Sequence, residues 1–421
     1  MRKVLIITYY WPPGSGAGVQ RWLKFSKYMA YYRWEPVILT IDPGYATYPA
    51  IDISLINEVP PNLKVYKTRA IDYFRFYSKD KSRIPSAGFA IDEEKGFFSW
   101  LTKFIRGNFF IPDPRKGWNR YAFTKACEII EDEKIHNVLT TSPPHSTQLI
   151  GLKLKKKYPG IRWIADLRDP WTDIYYYDQF HPTCLSRQID LKYEKSVLKS
   201  SDKIITVGKS LKELFASKIP GSDEKIEVIT NGYDAGDFSG LSVTNPELFT
   251  ISYIGTLSDS YPVKGFLKAL KVFNNNGIDF RLKFVGMVSS RQKENILNDT
   301  GGSKAEFVPY VNHKTVIKHL ASSTALLLII PDDQSNRSII TGKLFEYLAS
   351  GKPVICLGPV DGDAAGILSK CGHGKTFAYD DTDGISGYIK VLIANPEITE
   401  KTSTVIYSRE NLVKKVVSLL K

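Results

Sequence analysis

Short runs of apolar and β-branched residues recur along this chain, and each is followed by a stretch with helical spacing. "KVLIITYY" (3–10), "EPVILTID" (35–42), "NLKVYKTR" (62–69), "KIHNVLTTSPP" (134–144), "IRWIADLRDPW" (161–171) and "SDKIITVGKS" (201–210) read as strands in the first half. "LFTISYIGTL" (248–257), "DFRLKFVG" (279–286), "AEFVPYV" (305–311), "ALLLIIP" (325–331) and "KPVICLG" (352–358) repeat the pattern in the second. Helical patterns lie between them. "GVQRWLKFSKYMAYY" gathers Val19, Trp22, Leu23, Phe25 and Met29, and further helices are expected around 264–274, 314–321 and 342–350. Continuous apolar runs separated by helices require a parallel sheet covered on both faces. The expected class is α/β, with Rossmann-like, doubly wound parallel sheets.

The chain has 421 residues, more than one ordinary core holds, so two domains are expected. The Gly-, Asp- and Ser-rich stretch "GYDAGDFSGLSVTNPE" (232–247) reads as the linker. That places an N-terminal domain over 1–236 and a C-terminal domain over 247–400. "YSRENLVKKVVSLLK" (407–421) reads as a terminal amphipathic helix.

Apolar residues make up 43% of the chain and charged residues 24%, which fits a folded protein and excludes a disordered one. No apolar run is long enough to span a bilayer. The start, "MRKVLIITYYWPPGSGAG", has two basic residues before an apolar run, but the run is short and ends in Trp-Pro-Pro. It reads as a first buried strand and not as a leader. Cys127, Cys184, Cys356 and Cys371 show no Cys-x-x-Cys spacing, which argues against a disulfide framework or a zinc site and fits a reducing cytoplasm. The net charge of +13 suits an anionic partner, but charge alone does not separate nucleic acid, acidic lipid and phosphates.

Residues 70–118 break the alternation. They hold "FRFYSKDKSR" and "GFFSWLTKFIRGNFFIPDPRKGW". The second mixes Phe97, Phe98, Trp100, Leu101, Phe104, Ile105, Phe109 and Phe110 with Lys103, Arg106, Arg115 and Lys116. A basic aromatic segment lies in a membrane interface, or it packs against a core with its basic face solvated. The residues fit either reading.

Several motifs stand at strand ends, where open parallel sheets bind ligands. "PPGSGAGVQR" follows the first strand. Gly14, Gly16 and Gly18 let a ligand approach the backbone, and the next helix offers free N–H groups to an anion. The spacing is not that of a dinucleotide turn, although Asp42 stands where such a fold keeps its ribose-binding acid. "IADLRDPWTD" sets Asp166, Arg168 and Asp169 at a strand end, where a carboxylate serves as base or hydroxyl ligand, or pairs with Arg168. "TTSPPHS" adds His145, a residue that titrates near neutrality. "VITNGYD" carries the turn Asn231-Gly232. "YIGTLSDSYPVKG" combines a glycine turn with Lys264 near a helix start, a phosphate cradle in outline. In "TGKLFEYLASGKPVI", Thr341 is expected to cap a helix that Gly351 and Pro353 end. Lys343 stands at the helix end that disfavours a cation, three residues before Glu346. A bound phosphate would supply the missing negative charge. The triplets "DGD" (361–363) and "DTD" (381–383) read as polar turns and not as metal sites.

Taken in order, the glycine loop ending in Arg21, "NGYD", "YIGTL…K" and "GKLFEYLASGKPVI" resemble the GT-B glycosyltransferases, nearest to glycosyltransferase family 4 of bacterial surface-polysaccharide synthesis. The resemblance implies two Rossmann-like domains with a cleft between them. The donor would sit in the C-terminal domain and the acceptor in the N-terminal one, and the terminal helix would pack back on the latter. It implies a donor diphosphate near Gly255, Thr256 and Lys264, with Gly16 and Gly18 facing it and Glu346 on the ribose. Arg21, Asn231, Gly342 and Leu344 belong to the matched donor motifs. Departures are visible. Thr256 stands where the family often has an arginine, for which Arg337 or Lys343 would substitute. Ser338 replaces the acid expected eight residues before Glu346, and "ADLRDPW" occupies the place of a histidine.

Such enzymes mostly retain anomeric configuration and need no metal. The expected function is transfer of a sugar from a nucleotide-diphosphate-sugar to a saccharide or lipid-linked acceptor, for cell-surface polysaccharide. From their place at strand ends, the catalytic candidates are Asp166, Asp169 and His145. No cofactor beyond the co-substrate and no nucleic-acid partner is expected. The expected place is the cytoplasm, peripheral on the inner membrane face, with an anionic membrane surface as partner. The alternatives are a nucleotide-sugar-binding protein without catalysis, and a nicotinamide-dependent oxidoreductase built on Gly14–Gly18 and Asp42.

Overall fold

Two parallel sheets organise the protein, each in its own compact unit: Met1–Asn231 with Arg409–Lys421, and Gly232–Ser408. The structure, a computed structural model, describes residues 1–73, 96–240, 246–302, 304–395 and 404–421. The "FRFYSKDKSR" run, residues 241–245 of the expected linker and residues 396–400 of the expected second domain lie outside the described residues.

The first unit has seven strands: β1 (Arg2–Ile7), β2 (Trp34–Ile41), β3 (Lys64–Thr68), β4 (Asn137–Ser142), β5 (Arg162–Leu167), β6 (Lys203–Thr206) and β7 (Ile226–Val228). They are ordered β3-β2-β1-β4-β5-β6-β7 and all pair in parallel. Strand alternation sorts the apolar runs onto two faces. Leu5, Ile7, Val37, Leu39, Val138 and Ala165 enter one core, while Val4, Ile6, Ile38, Leu139, Ile164 and Ile205 enter the other. The second core also takes Trp22 and Phe25 of the Ala17–Met29 helix and Leu412, Val413 and Val416 of the terminal Arg409–Ser418 helix. Trp22, Phe25 and Val413 are fully buried. Each such side chain contributes about 1.5–3 kcal/mol of transfer free energy.

The second unit has six strands: β8 (Thr250–Ile254), β9 (Arg281–Val285), β10 (Ala305–Val308), β11 (Ala325–Ile329), β12 (Val354–Leu357) and β13 (Gly374–Phe377). Their order is β10-β9-β8-β11-β12-β13, again all parallel. β13 is not among the strands expected from sequence. Gly374, Lys375 and Thr376 carry little apolar signal, and as an edge strand it buries little more than Phe377. In each unit the strand order reverses once, at β1/β4 and at β8/β11. Such switch points open a crevice at the carboxyl ends of the strands.

Two local expectations are corrected. The Gly232–Phe238 stretch is no free linker. Tyr233 and Asp234 are buried, Tyr233 bridges to Ser408, and Asp234 accepts from Gly236 N at 3.1 Å. Thr341 precedes the Gly342–Ser350 helix but makes no capping hydrogen bond. Gly351 does end that helix in the left-handed conformation, φ 69°.

Candidate functional site

The switch point of the first unit gathers the loops after β1, β4 and β5. Gly16 caps the Ala17–Met29 helix at φ 105° and is exposed, with open space where a side chain would stand. Gly18 has a different reason. A Cβ there would lie 2.7 Å from Arg168 Nη2, so the glycine admits the guanidinium from the β5 loop. The loop glycine faces a protein cation before it faces any ligand.

Two expected site residues prove to be structural. Arg21 is wholly buried. Its guanidinium donates to Asp166 Oδ1 at 3.2 Å, to Ile229 O at 2.9 Å and to Thr230 O at 2.5 Å. Asp166 is also wholly buried, and its Oδ2 accepts from Trp22 Nε1 at 2.8 Å and Thr141 Oγ1 at 2.7 Å. Neither side chain is open to solvent. Together they tie the first helix, β4, β5 and the chain beyond β7. Asn231 joins this knot, 3.5 Å from Arg21 Nη1 through its Oδ1 and 3.4 Å from Arg409 Nε through its carbonyl.

His145 is corrected as well. Its ring stacks on Trp171 with centroids 4.9 Å apart, and burial pushes the imidazole down to about 3, with the Pro170 backbone opposing. It stays neutral at physiological pH and is too weak a base to take a proton there.

Asp169 is the carboxylate left at this edge. It is half-buried, and among the described residues its side chain accepts no hydrogen bond. Burial pushes its carboxyl above the usual range, with Arg168 opposing and Asp166 adding. The loop that carries it is clamped by two acids the sequence reading missed. Asp190 accepts from Trp171 Nε1 at 2.7 Å and Tyr177 Oη at 3.0 Å, and Glu194 accepts from Thr172 Oγ1 at 2.6 Å and Lys218 Nζ at 2.7 Å. Asp190, Glu194 and the intervening turn lie on one face of the Cys184–Ser200 helix, a spacing of four that could have flagged them. Asp42 is spent locally, since its Oδ1 accepts from Gly44 N at 2.8 Å.

In the second unit the turn after β8 meets the start of the Gly342–Ser350 helix. Lys343 Nζ donates to Tyr253 Oη at 2.9 Å, and the Tyr253 hydroxyl donates to Thr256 O at 2.7 Å. Gly255 sits at φ 119°, and a Cβ there would lie 2.6 Å from Lys343 Cε and 2.7 Å from its Nζ. Both conformation and space demand glycine. Burial pulls the Lys343 ammonium down to about 8, with Glu346 opposing. Beside it, Thr341 Oγ1 is buried without a hydrogen-bond partner, and the first N–H groups of the helix have no side-chain cap. The Lys343 cation, the uncapped helix start and the unpartnered hydroxyl share one spot.

Glu346 lies one turn on. His313 Nε2 is 3.0 Å from Glu346 Oε1, and His313 Nδ1 is 4.0 Å from Asp237 Oδ2. Tyr253, His313 and Asp237 are not singled out by the sequence as site residues. His313 opens a helix after Asn312, whose Oδ1 caps it at 2.9 Å from Thr315 N. That capping pattern was readable and the partnership with Glu346 was not.

The remaining expected residues are placed as follows. Leu344 is fully buried in the core, so its side chain binds no donor. Gly342 opens the helix and is half-buried. Lys264 is exposed as the first residue of the Lys264–Asn275 helix after β8, and among the described residues nothing joins it to Lys343 or Glu346. Arg337 is exposed and pairs with Asp361, which competes with any phosphate. Ser338 Oγ closes its own turn on Ser335 O at 2.9 Å. Asp381 caps the Thr382–Ala394 helix through Gly384 N at 2.9 Å, which accounts for that triplet.

No protein-family model matches the chain, and no match is found among curated proteins. Solved structures do match. A sucrose-phosphate synthase from Thermosynechococcus elongatus is 12% identical at TM-score 0.63, covering 100% of this chain and 98% of its own. A lipopolysaccharide outer core galactosyltransferase, WaaB, is 12% identical at TM-score 0.59, covering 100% and 99%. The Anabaena protein HepE, solved with UDP, is 13% identical at TM-score 0.56, covering 100% and 97%. It is also known with UDP and glucose and with UDP-glucose. The two doubly wound parallel units and these full-length likenesses give the chain the GT-B fold.

Proposed function

We propose that the protein transfers a sugar from a nucleotide-diphosphate-sugar to a hydroxyl of a saccharide or lipid-linked acceptor, for cell-surface polysaccharide. The reaction uses no metal or further cofactor. It takes place at the cytoplasmic face of the membrane, and nucleic acid is no partner. The Anabaena complexes with UDP and UDP-glucose support a donor of this class.

The observation that carries the reading is Lys343, held on Tyr253 at an uncapped helix start beside the unpartnered Thr341 Oγ1. A diphosphate there accepts from the ammonium, the helix N–H groups and the threonine. As the glycosidic bond to the leaving phosphate breaks, the charge that develops is stabilised by these same donors. Glu346, steadied by His313, takes the ribose hydroxyls. Lys264 adds positive charge at the neighbouring helix start. In the first unit, Asp169, unpartnered among the described residues and with a raised pKa, serves as the base for an acceptor hydroxyl.

Calorimetric titration of nucleoside diphosphates tests the donor half. Lys343→Ala is expected to lower affinity at least about tenfold, the weight of one charge-assisted hydrogen bond, with unchanged melting. Affinity unmoved by both Lys343→Ala and Glu346→Ala removes the assignment. One observation favours a second reading, a donor-binding protein without turnover. Ser338 stands where an acid would hold the sugar, and its hydroxyl closes its own turn. Isotope-labelled donor separates the two: binding with neither transfer nor hydrolysis selects the second.

A further inference from the structure

Among the described residues, the Asp169 carboxylate accepts no hydrogen bond. A side chain in that state is aimed by its backbone alone. The backbone just beyond it is held at consecutive residues. Trp171 is buried, stacks on His145 and donates to Asp190 Oδ1 at 2.7 Å. Thr172 is buried and donates to Glu194 Oε2 at 2.6 Å. Asp173 pairs with Lys218.

Lys218 gathers the last two of these contacts. It ends the Lys209–Lys218 helix, and its side chain is 11% exposed. Its ammonium donates to both oxygens of Glu194 at 2.7 Å and to Thr172 Oγ1 at 3.0 Å, beside its pairing with Asp173. The Glu194 side chain is wholly buried. The Lys209–Lys218 helix, the Cys184–Ser200 helix and the loop after β5 thus meet at one ammonium.

Stability does not account for this arrangement. Taking an ammonium and a carboxylate out of water costs about as much as their attraction returns, and apolar residues of the same volume hold a core equally well. What the pair adds is direction. Charge-assisted hydrogen bonds accept one geometry, where apolar surfaces accept several.

We propose that Lys218 and Glu194 are positioning residues: the pair locks Thr172 and Asp173, and so fixes the direction in which Asp169 presents its carboxylate. The proposal rests on the reading of Asp169 as the base. The charges that act on the Asp169 carboxyl are Arg168 and Asp166, so Lys218 and Glu194 reach it through the chain.

Two variants of the full chain test it. Lys218→Met/Glu194→Leu removes both charges and leaves neither unanswered, so it is expected to melt as the wild type does. Thr172→Val keeps the ion pair and cuts its bond to the loop, and it decides the matter if the double variant does not fold. The first readout is titration of the Asp169 carboxyl by NMR of isotope-labelled aspartate, assigned by its loss in Asp169→Asn. In both variants its pKa is expected to move down toward the usual aspartate range, because a loosened loop admits water. The second readout is turnover of UDP-glucose. Its kcat is expected to fall about tenfold or more, the cost of a misplaced reacting group, with KM for UDP-glucose unchanged. An unmoved Asp169 titration in the folded variants overturns the proposal, whatever the rate. A moved titration with unchanged turnover upholds the brace and removes Asp169 from the chemistry instead. A wild type that does not turn over UDP-glucose counts against the transferase reading, and the titration then decides the brace by itself.

Discussion

Lys343 Nζ stands 2.9 Å from the hydroxyl of Tyr253 and 4.4 Å from the centre of its ring. A ring face and a phenol are weak counterparts for an ammonium. Burial therefore dominates, and the pKa drops from 10.5 to about 8. The cation is held where it is partly desolvated, one helical turn from Glu346. This is the arrangement of a group waiting for an anion.

That waiting has a pH signature. A phosphate beside Lys343 favours the ammonium, so binding raises its pKa again. As pH rises through about 8 the free protein loses this proton, and affinity for a nucleoside diphosphate is expected to fall. Calorimetry at that pH in two buffers of different ionisation enthalpy should show proton uptake, which Lys343→Met abolishes. Without ligand the sign is opposite for folding. Between about 8 and 10.5 the unfolded chain binds more protons, so stability rises with pH in that window.

Glu346 and His313 make a ribose-specific prediction. The carboxylate is held at 3.0 Å by His313 Nε2 and would accept from ribose hydroxyls, while Lys343 meets phosphate. Glu346→Gln is expected to weaken a nucleoside diphosphate about tenfold and leave inorganic pyrophosphate unchanged. His313→Asn should act in the same selective direction with smaller size. Equal losses for both ligands would show that Glu346 does not read the ribose.

Arg21 and Asp166 are expected to govern stability and not chemistry. Breaking a buried ion pair leaves its partner charged and unanswered, at about 3–5 kcal/mol. Arg21→Met should lower the urea midpoint by that order. Asp166→Asn keeps the shape and should cost less. Donor affinity per folded molecule should stay as in the wild type for both. A stable Arg21→Met protein that cannot bind nucleotide would return Arg21 to the donor site.

The sheets were legible because buried parallel strands are written as unbroken apolar runs. "ALLLIIP" and "KPVICLG" need no partner to be recognised. β13 was not legible, because "GKTF" is half polar and owes its strand to pairing with β12. The site was legible as positions and not as partnerships. Lys343 and Glu346 drew notice through helix polarity, a local property. The Arg21–Asp166 bond joins residues 145 apart, and the contact of Gly18 with Arg168 joins opposite sides of the β1/β4 switch point. Both motifs looked like ligand sites because a strand-end glycine, arginine and aspartate serve either purpose. Only burial separates Asp166 from Asp169.

Asp169 carries the last prediction. It is the strand-end carboxylate of the first unit that is half-buried, unpartnered among the described residues and raised by burial above the usual carboxylate range. A base of this kind removes a proton from an acceptor hydroxyl better than an exposed aspartate does. Asp169→Asn keeps the size and removes the base. Transfer is expected to drop by roughly a hundredfold or more, with donor affinity and melting temperature unchanged. Because the carboxyl must be ionised to act, the wild-type rate should fall as pH drops through its raised pKa, a limb that Asp169→Asn flattens. Asp190→Asn, which loosens the loop through Trp171 and Tyr177, should lower the rate and leave the shape of that limb intact. A transfer rate indifferent to Asp169→Asn would move the proton acceptor elsewhere and leave this edge a binding surface.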